Sequence, residues 1–256
     1  DLVARVLAGR GVELDNAPKF LDPTIRSLMP DPFTLTDCEK AAERICAAIE
    51  RRERVAIFGD YDVDGAASSA LVYRFLTHFG VQAEIYIPDR IFEGYGPNAP
   101  AIRQLIANGA NLIVTVDCGS TSHDALAAAR DERCDVVVID HHQVGYELPP
   151  CHALVNPNRE DDLSGQGHLC AAGVVFMVLV ATARMLRERG NPQARTLDLL
   201  QWLDLVALAT VCDVVPLKGL NRAFVVKGLI VARHMNNAGL AAPFRKAGLG
   251  GPVTPY

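Results

Sequence analysis

Short apolar runs alternate with helix-like segments through the middle of this chain, and that alternation limits the fold more than any other feature of the sequence. Continuous apolar strands are typical of a parallel sheet that is buried on both faces. Helical segments between them supply the crossovers that parallel strands need. The sequence therefore predicts an α/β fold with a doubly wound, mainly parallel sheet. The predicted strands are Val55–Phe58, Ala83–Ile87, Leu112–Val116, Val136–Ile139 and Ala153–Val155.

The segments between these strands carry helix start and stop signals. Asn and Ser are common caps at helix starts, and Gly often follows a helix end. Gly80 closes the first predicted crossover helix. The three predicted helices are Ala66–Phe79, a helix capped by Asn98 that runs to Ala107, and a helix capped by Ser122 that runs to about Glu132.

An N-terminal arm and a C-terminal helical part flank the predicted sheet. Four prolines break residues 1–37 into short pieces, and Asp37 stands where it can cap a helix from Cys38 to about Glu53. Three further helices and a linker rich in Gly, Pro and Ala are predicted after Gln166. They are His168–Arg189, Ala194–Ala209, Asn221–His234 and the linker Asn236–Tyr256. We expect an arm in residues 1–37, one domain in 38–220, and a linking helix that starts in 221–256.

Composition excludes several classes of protein. Half of the residues are hydrophobic and 21% are charged, as in ordinary globular proteins, and no apolar run reaches the roughly 18 residues of a membrane span. The apolar stretch Cys170–Ala183 is interpreted as a buried helix. Seven cysteines without a C-x-x-C pair indicate neither a disulfide framework nor a zinc site, which favours a reducing cytoplasm. A net charge of −5 excludes a strongly basic nucleic-acid-binding chain.

Acidic and imidazole side chains follow several predicted strands. Ligands of open α/β sheets bind outside the carboxyl ends of the strands, so these side chains are expected to converge there. Two carboxylates about 4 Å apart repel by roughly 4 kcal/mol at an effective dielectric constant of about 20, and a divalent ion removes that cost. Asp and His together suit an ion such as Mn²⁺. The candidate metal ligands and their neighbours are Asp60, Asp62, Asp64, Asp117, Asp140, His141, His142 and, later in the chain, Asp213.

Three other interpretations of the acidic segment fit the sequence less well. A calcium-binding EF-hand loop needs a Glu at its twelfth position, where this chain has Leu71, and a helix before it. A haloacid-dehalogenase-type phosphatase would use Asp62 as a nucleophile, but such a site has no place for an Asp-His-His element. Simple capping of the following helix needs one acid, and three are present. The metal centre is therefore favoured.

The motifs, taken together, resemble those of the DHH phosphoesterase superfamily, and within it the branch of single-strand-specific DNA exonucleases. The resemblance covers nearly the whole chain. Supporting segments are Ile87–Arg90, Glu93–Gly96 and Val155–Pro157. The four main motifs, in chain order, are Gly59–Gly65, Thr115–Gly119, Asp140–His142 and Ala209–Leu217.

The resemblance implies a site for two Mn²⁺ ions, with Mg²⁺ as the alternative ion. By position, Asp62 and Asp117 would hold the first ion, while Asp64, Asp117, His141 and Asp213 would hold the second. His142 would contact the scissile phosphate, and Asp140 would orient a histidine.

Two further residues near the site are singled out. Phe58 stands where the wider superfamily often has a histidine, which leaves open a weaker first ion site or a contribution from Asp60. Arg90 is a candidate phosphate clamp, because a guanidinium binds phosphate through two hydrogen bonds; a solvated surface arginine is the alternative.

The function implied by the resemblance is hydrolysis of single-stranded DNA from its 5′ end in repair and recombination. Single-stranded DNA is the expected substrate, with a single-strand-binding protein and a helicase as candidate partners and no membrane association. Two alternatives remain: a phosphodiesterase for short oligonucleotides or cyclic dinucleotides, and a non-catalytic module that binds DNA or a replication partner. The resemblance also implies downstream domains, so the sequence is interpreted as a fragment.

Overall fold

A computed structural model describes residues 1–248, and its centre is one sheet of five parallel strands. The strands are β1 (Val55–Gly59), β2 (Ala83–Tyr86), β3 (Leu112–Val116), β4 (Asp135–Ile139) and β5 (Ala153–Val155). Their order in the sheet is β2-β1-β3-β4-β5, and every neighbouring pair is parallel. The predicted strands and the parallel sheet are confirmed.

Helices surround this sheet on both faces. The α-helices within residues 1–248 are α1 (Leu2–Gly9), α2 (Ala17–Leu21), α3 (Ile25–Leu28), α4 (Cys38–Arg51), α5 (Val63–His78), α6 (Ala99–Ala107), α7 (His123–Asp131), α8 (Ala171–Glu188), α9 (Pro192–Thr196), α10 (Leu203–Cys212), α11 (Gly219–Ala232) and α12 (Ala238–Lys246). None of the helices that the model describes is both long and apolar enough to cross a lipid bilayer.

Strand side chains alternate between two hydrophobic cores, because successive residues of a strand point to opposite faces. Val55 and Ile57 of β1 lie in the larger core with α4, α5, α8 and α10. Ala56 and Phe58 lie in the smaller core with α6 and α7. Both faces of the sheet are therefore covered, which confirms the doubly wound fold.

The chain reverses direction across the sheet between β1 and β3. After β1 it passes through α5 to β2 on one side, and then through α6 to β3 on the other side of β1. The helices α5 and α6 pack on opposite faces, so a crevice opens beyond the carboxyl ends of β1 and β3. Such a switch point is the usual ligand site of an open α/β sheet.

Two predictions about the C-terminal part are wrong. The predicted helix Ala194–Ala209 is interrupted, because Leu197 is extended and the Asp198 side chain accepts a hydrogen bond from Leu200 N at the start of a separate 3-10 turn. The predicted linker contains α12, which begins at Asn237, whose side chain accepts a hydrogen bond from Gly239 N. Residues 249–256 of that linker lie outside the described residues.

The predicted role of Asp37 as a helix cap is also wrong, although α4 does begin after it. Asp37 has a left-handed backbone and makes no side-chain bond to α4. Its Oδ2 atom instead accepts hydrogen bonds from Leu154 N and from the Arg159 guanidinium, at 3.1 and 2.8 Å. Asp37 therefore ties the arm to β5. Ser122 likewise precedes α7 without a side-chain capping bond.

Candidate metal centre

Three parallel strands deliver an aspartate each to the same edge of the sheet. Asp60 directly follows β1, Asp117 follows β3 and Asp140 follows β4. All three are almost completely buried. Parallel strands end at one edge, so residues far apart in sequence meet there without any special loop. This is the convergence that the sequence predicts.

The next two acids stand at the start of α5. Asp62 is the N-cap residue, and its Oδ1 accepts a hydrogen bond from Gly65 N at 2.9 Å. The helix therefore begins at Val63, three residues earlier than predicted, and Asp64 lies within its first turn. Gly65 is required here, because a Cβ atom at this position would lie 2.4 Å from the carbonyl oxygen of Asp60.

Asp64 is fixed by a helix from a distant part of the chain. Its Oδ2 accepts a hydrogen bond from Ala171 N at 2.6 Å, and its Oδ1 accepts one from Ala172 N at 2.8 Å. These are the first residues of α8, whose own N-cap residue, Cys170, supplies no side-chain bond. The N–H groups at a helix start lack partners within the helix and favour a negative charge. The start of α8 thus orients the carboxylate of Asp64.

The backbone of Asp117 is in the left-handed region, with φ of +61°. Asp tolerates this conformation better than most residues that carry a side chain. Asp117 N donates to the carbonyl oxygen of Ile139 at 3.0 Å, which anchors the turn to β4. Gly119 completes the turn with φ of +111°, and a Cβ atom there would lie 2.7 Å from Thr115 Oγ1.

Asp140 organises the two histidines that follow it. Its Oδ1 accepts hydrogen bonds from His141 N, His142 N and His142 Nδ1 at 2.8, 3.2 and 2.8 Å, and its Oδ2 accepts one from Ser120 N. The ring of His142 is thereby held through Nδ1, which leaves Nε2 free of Asp140. The structure thus brings Asp140 and His142 together as the resemblance implies.

Two asparagines after β5 hold the carbonyl groups of the same histidines. Asn156 Nδ2 donates to His142 O at 2.9 Å and to Ser120 Oγ at 2.8 Å. Asn158 Nδ2 donates to His141 O at 2.5 Å. Asn156 lies in one of the supporting segments of the resemblance, but the sequence alone assigns it no role. Asn156 is a polar residue directly after a predicted strand. The same signal identified the acids, so it could have identified Asn156 as a candidate.

His141 lies at the middle of the acidic cluster. Its Nε2 atom is 3.4 Å from Asp117 Oδ1, 3.7 Å from Asp213 Oδ2 and 3.8 Å from Asp64 Oδ2. Donor atoms that bind one first-row divalent ion at about 2.1 Å lie roughly 3–3.5 Å from each other. The three distances from His141 Nε2 are close to that spacing. These four residues are the set that the resemblance assigns to the second ion.

A second group shares Asp117 with the first. Asp60, Asp62 and Asp117 each place one carboxylate oxygen within 4.8 Å of the others, and Asp117 also lies that close to His141 and His142. Asp60 therefore belongs to the acidic cluster. Phe58, in the position of the superfamily histidine, points away from it, because its side chain is buried in the smaller core beside Tyr86.

Buried donor atoms without partners test whether a metal ion fits this site. Within the described part of the chain, several buried side-chain atoms have no hydrogen-bond partner, and four of them belong to this cluster. Leaving such atoms unpaired costs about 1–3 kcal/mol each, and more for charged groups. Carboxylate oxygens suit Mn²⁺ and Mg²⁺, and Mn²⁺ also accepts an imidazole nitrogen, so the residues fit a divalent ion. The four atoms are Asp60 Oδ1, Asp117 Oδ1, His141 Nε2 and Asp213 Oδ2.

The pKa values show how crowded the acids are. Burial, and then the negative charges of Asp64 and Asp62, raise the pKa of Asp117 far above the ordinary range of an aspartate. Burial also raises the pKa of Asp64, Asp60 and Asp213. Asp140 differs: burial alone would raise its pKa, but hydrogen bonds from His142 and Ser120 hold that pKa at about 2. A positive charge within the cluster would therefore be stabilising.

Arg90 lies beside the cluster and contacts none of its acids directly. Its guanidinium carbon is 4.5 Å from the centre of the Tyr61 ring, and Nη1 donates to the Tyr61 hydroxyl. Tyr61 stands between Asp60 and Asp62, so Arg90 is at the rim of the site. Tyr95 approaches from the same segment, and its hydroxyl donates to Asp117 O at 3.4 Å.

Comparison with known proteins identifies the family. Residues 54–210 match the model of the DHH family, N-terminal domain. The chain belongs to the DHH family. It is 34% identical over 247 residues to the single-stranded-DNA-specific exonuclease RecJ of Bacillus subtilis, an alignment that covers 96% of this chain and 30% of that protein. It is 37% identical over 232 residues to RecJ of Escherichia coli, which covers 89% of this chain and 40% of that protein.

Solved structures agree with this assignment to the DHH family. The crystal structure of RecJ in complex with Mn²⁺ from Thermus thermophilus has a TM-score of 0.74 and 30% identity, and the match covers 95% of this chain and 33% of that one. A crystal structure of exonuclease RecJ bound to manganese has a TM-score of 0.72 and 33% identity, covering 84% and 53%. The chain spans well under half the length of the RecJ sequences named above.

Replacing Asn156 tests the support of the two histidines. Asn156 is completely buried, and Asn156→Ala removes the donors to His142 O and Ser120 Oγ. We expect the affinity of the site for a divalent ion to fall by about 10- to 100-fold, the usual loss when support behind a ligand is removed. Isothermal titration calorimetry with Mn²⁺ measures the change.

Asn111→Ala is the matched control for Asn156→Ala. Asn111 Oδ1 accepts a hydrogen bond from Arg54 N, at the opposite end of the strands from the metal centre. This variant should lose some thermal stability while its affinity for the divalent ion is retained. An Asn156→Ala protein that loses only thermal stability, like the control, would contradict a positioning role for Asn156.

Proposed function

We propose that this chain carries the metal centre of an exonuclease that hydrolyses single-stranded DNA, in DNA repair and recombination. The observation that carries the proposal is the group of unpartnered donor atoms around His141 Nε2, at the switch point of the sheet. The relatives at 34 and 37% identity bear the name of single-stranded-DNA-specific exonuclease. Similar structures were solved with manganese and with Mg²⁺.

We assign two ions to the site, Mn²⁺ in preference to Mg²⁺. Asp60, Asp62 and Asp117 would hold one, and Asp64, Asp117, His141 and Asp213 would hold the other, so Asp117 would belong to both sets of ligands. We assign Asp60 the ligand role that a histidine would have in the position of Phe58. Paired divalent ions supply an activated water and neutralise charge on the phosphodiester as it is cleaved.

The protein's own residues orient the reacting groups. The hydrogen bond that His142 Nδ1 donates to Asp140 raises the pKa of His142 and fixes its ring. His142 is half-exposed, and we assign its Nε2 atom, which Asp140 leaves free, to contact an oxygen of the scissile phosphate. The start of α8 keeps Asp64 in place during turnover. Arg90, at the rim, is assigned to bind a phosphate of the strand.

The compartment and partners follow from the same assignment. All seven cysteines lie within residues 1–248 and are unpaired, which agrees with a reducing cytoplasm. A strand that is degraded from one end must first be unwound and kept single. A helicase and a single-strand-binding protein are therefore the partners we propose, with attack from the 5′ end.

The test compares substrates in the protein expressed from its complete reading frame. With Mn²⁺ present, we expect mononucleotides to be released from a long 5′-labelled single strand, the labelled nucleotide first, and little release from a blunt duplex. The 5′ label distinguishes attack from the two ends. A preference for a dinucleotide or a cyclic dinucleotide would favour the phosphodiesterase alternative.

Histidine variants provide the controls for this experiment. His141→Ala should abolish release of nucleotides, because His141 is shared by two groups of ligands. His123→Ala, at the start of α7 and outside those groups, should retain it. DNA binding without any Mn²⁺-dependent hydrolysis in the unchanged protein would support a non-catalytic module and contradict the nuclease.

A further inference from the structure

A closed turn after β2 presents two apolar side chains to solvent at the rim of the metal centre. Ile91 and Phe92 are each 86% exposed, although both are large and hydrophobic. Single exposed apolar residues are common on protein surfaces, whereas adjacent ones on an ordered segment mark interaction sites. We call residues Asp89–Glu93 the rim turn.

Hydrogen bonds hold the rim turn in one conformation. Asp89 Oδ1 accepts from Ile91 N at 2.8 Å and from Phe92 N at 3.3 Å. Glu93 reaches back, and its Oε2 accepts from Asp89 N at 2.8 Å while Oε1 accepts from the hydroxyl of Tyr86 in β2. The reciprocal bonds resemble a capping box and reduce the freedom of the backbone. Phe92 is therefore exposed from an ordered support.

Two contacts connect the rim turn to the metal loops. Arg90, inside the turn, lies over Tyr61 in the loop that carries Asp62. Tyr95, just after the turn, donates its hydroxyl proton to the carbonyl oxygen of Asp117. The rim turn therefore borders the cluster. The cation of Arg90 favours the anionic backbone of a DNA strand beside the exposed ring.

We propose that Phe92, supported by Ile91, is a stacking platform for one base of the strand that enters the metal centre; this rests on the proposed function. Aromatic rings bind bases of any sequence, since every base has a π-face. An aromatic ring beside an arginine, at the edge of the metal centre, fits a nucleotide, because the ring can stack on the base while the guanidinium binds the backbone phosphate. Phe92 thereby contributes to the affinity for single strands, whose bases are free to stack.

The experiment uses single strands in which one abasic residue is moved along the first positions from the 5′ end. With intact DNA, Phe92→Ala should raise KM by about tenfold, the typical effect of losing one base–aromatic stack. At one abasic position the unchanged protein should show the same increase in KM, and Phe92→Ala should show no further increase there. Phe92→Trp should restore the KM measured with intact DNA, because it restores an aromatic face.

Leu14→Ala is the matched control, since Leu14 is 87% exposed and lies in the N-terminal arm. It should leave KM unchanged. Three results would each overturn the stacking platform: an unchanged KM in Phe92→Ala, an equal loss of affinity at every abasic position, or no recovery of affinity in Phe92→Trp. In each of these cases, hydrolysis by the unchanged protein would still support the proposed function. An unchanged protein that does not cleave single strands would overturn both.

Discussion

Asp117→Asn is expected to abolish Mn²⁺-dependent hydrolysis of single-stranded DNA while it stabilises the metal-free protein. Asp117 shares one ligand group with Asp62 and another with His141. Loss of several kcal/mol of charge stabilisation corresponds to a fall of at least about 1000-fold in kcat. Asn tolerates the left-handed backbone of Asp117, so the turn should survive.

The gain in stability follows from the crowded charges. The pKa of Asp117 is raised in the folded protein, so its ionisation opposes folding at neutral pH. Asn carries no charge and removes that cost. The melting temperature of metal-free Asp117→Asn should therefore exceed that of the unchanged protein at pH 7–8. The difference should shrink as the pH falls and vanish below about pH 3, where an aspartate in the unfolded chain, of pKa about 3.9, is also protonated.

Asp124→Asn is the control for this experiment. Asp124 is an exposed acid in the first turn of α7, outside the ligand groups. It should retain full activity and gain no thermal stability, since an acid at a helix start is favourable. A metal-free Asp117→Asn protein that melts below the unchanged protein would contradict the view that these carboxylates repel one another.

Mn²⁺ should raise the melting temperature of the unchanged protein strongly. An ion that binds only the folded state adds about 2.7 kcal/mol of stability at a concentration 100 times its dissociation constant. For a domain of this size, that corresponds to an upward shift of roughly 5–10 °C. Differential scanning calorimetry with Mn²⁺, and again after a chelator is added, measures the shift and its reversal.

The Mn²⁺ shift should be specific to the cluster. Asp117→Asn should lose most of it, whereas Asp124→Asn should keep it. Ca²⁺ at the same concentration should give a smaller shift, because imidazole is a poor ligand for that ion and His141 lies at the middle of the cluster. An equal shift in the protein and in Asp117→Asn would show that Mn²⁺ binds elsewhere.

The sequence predicts the sheet and most of the cluster because both depend on local signals. Apolar runs mark the strands, and acids directly after them share an edge by geometry alone. Those rules place Asp60, Asp117 and Asp140 without knowledge of any tertiary contact. The break near Leu197 and the helix α12 escape prediction because packing and a single capping side chain decide them.

Contacts between distant segments could not be predicted from the sequence. No local pattern shows that Ala171 N and Ala172 N hold Asp64, since more than a hundred residues separate them along the chain. The bonds from Asn156 and Asn158 to the histidine carbonyls also join separate segments, although the place of Asn156 directly after β5 is a local signal. The identities of the candidate metal ligands can therefore be predicted from the sequence, while the contacts that orient them are a property of the fold.

The hydrogen bonds from the start of α8 to Asp64 affect when the cluster can form during synthesis on the ribosome. A nascent chain that has reached β5 already contains Asp62, Asp117 and His141, but both oxygens of Asp64 lack their donors until α8 forms, and Asp213 comes later still. The centre therefore matures near the end of translation of this segment. A ribosome-bound intermediate therefore carries most of the candidate ligands in an incomplete arrangement until α8 has formed and Asp213 has been added.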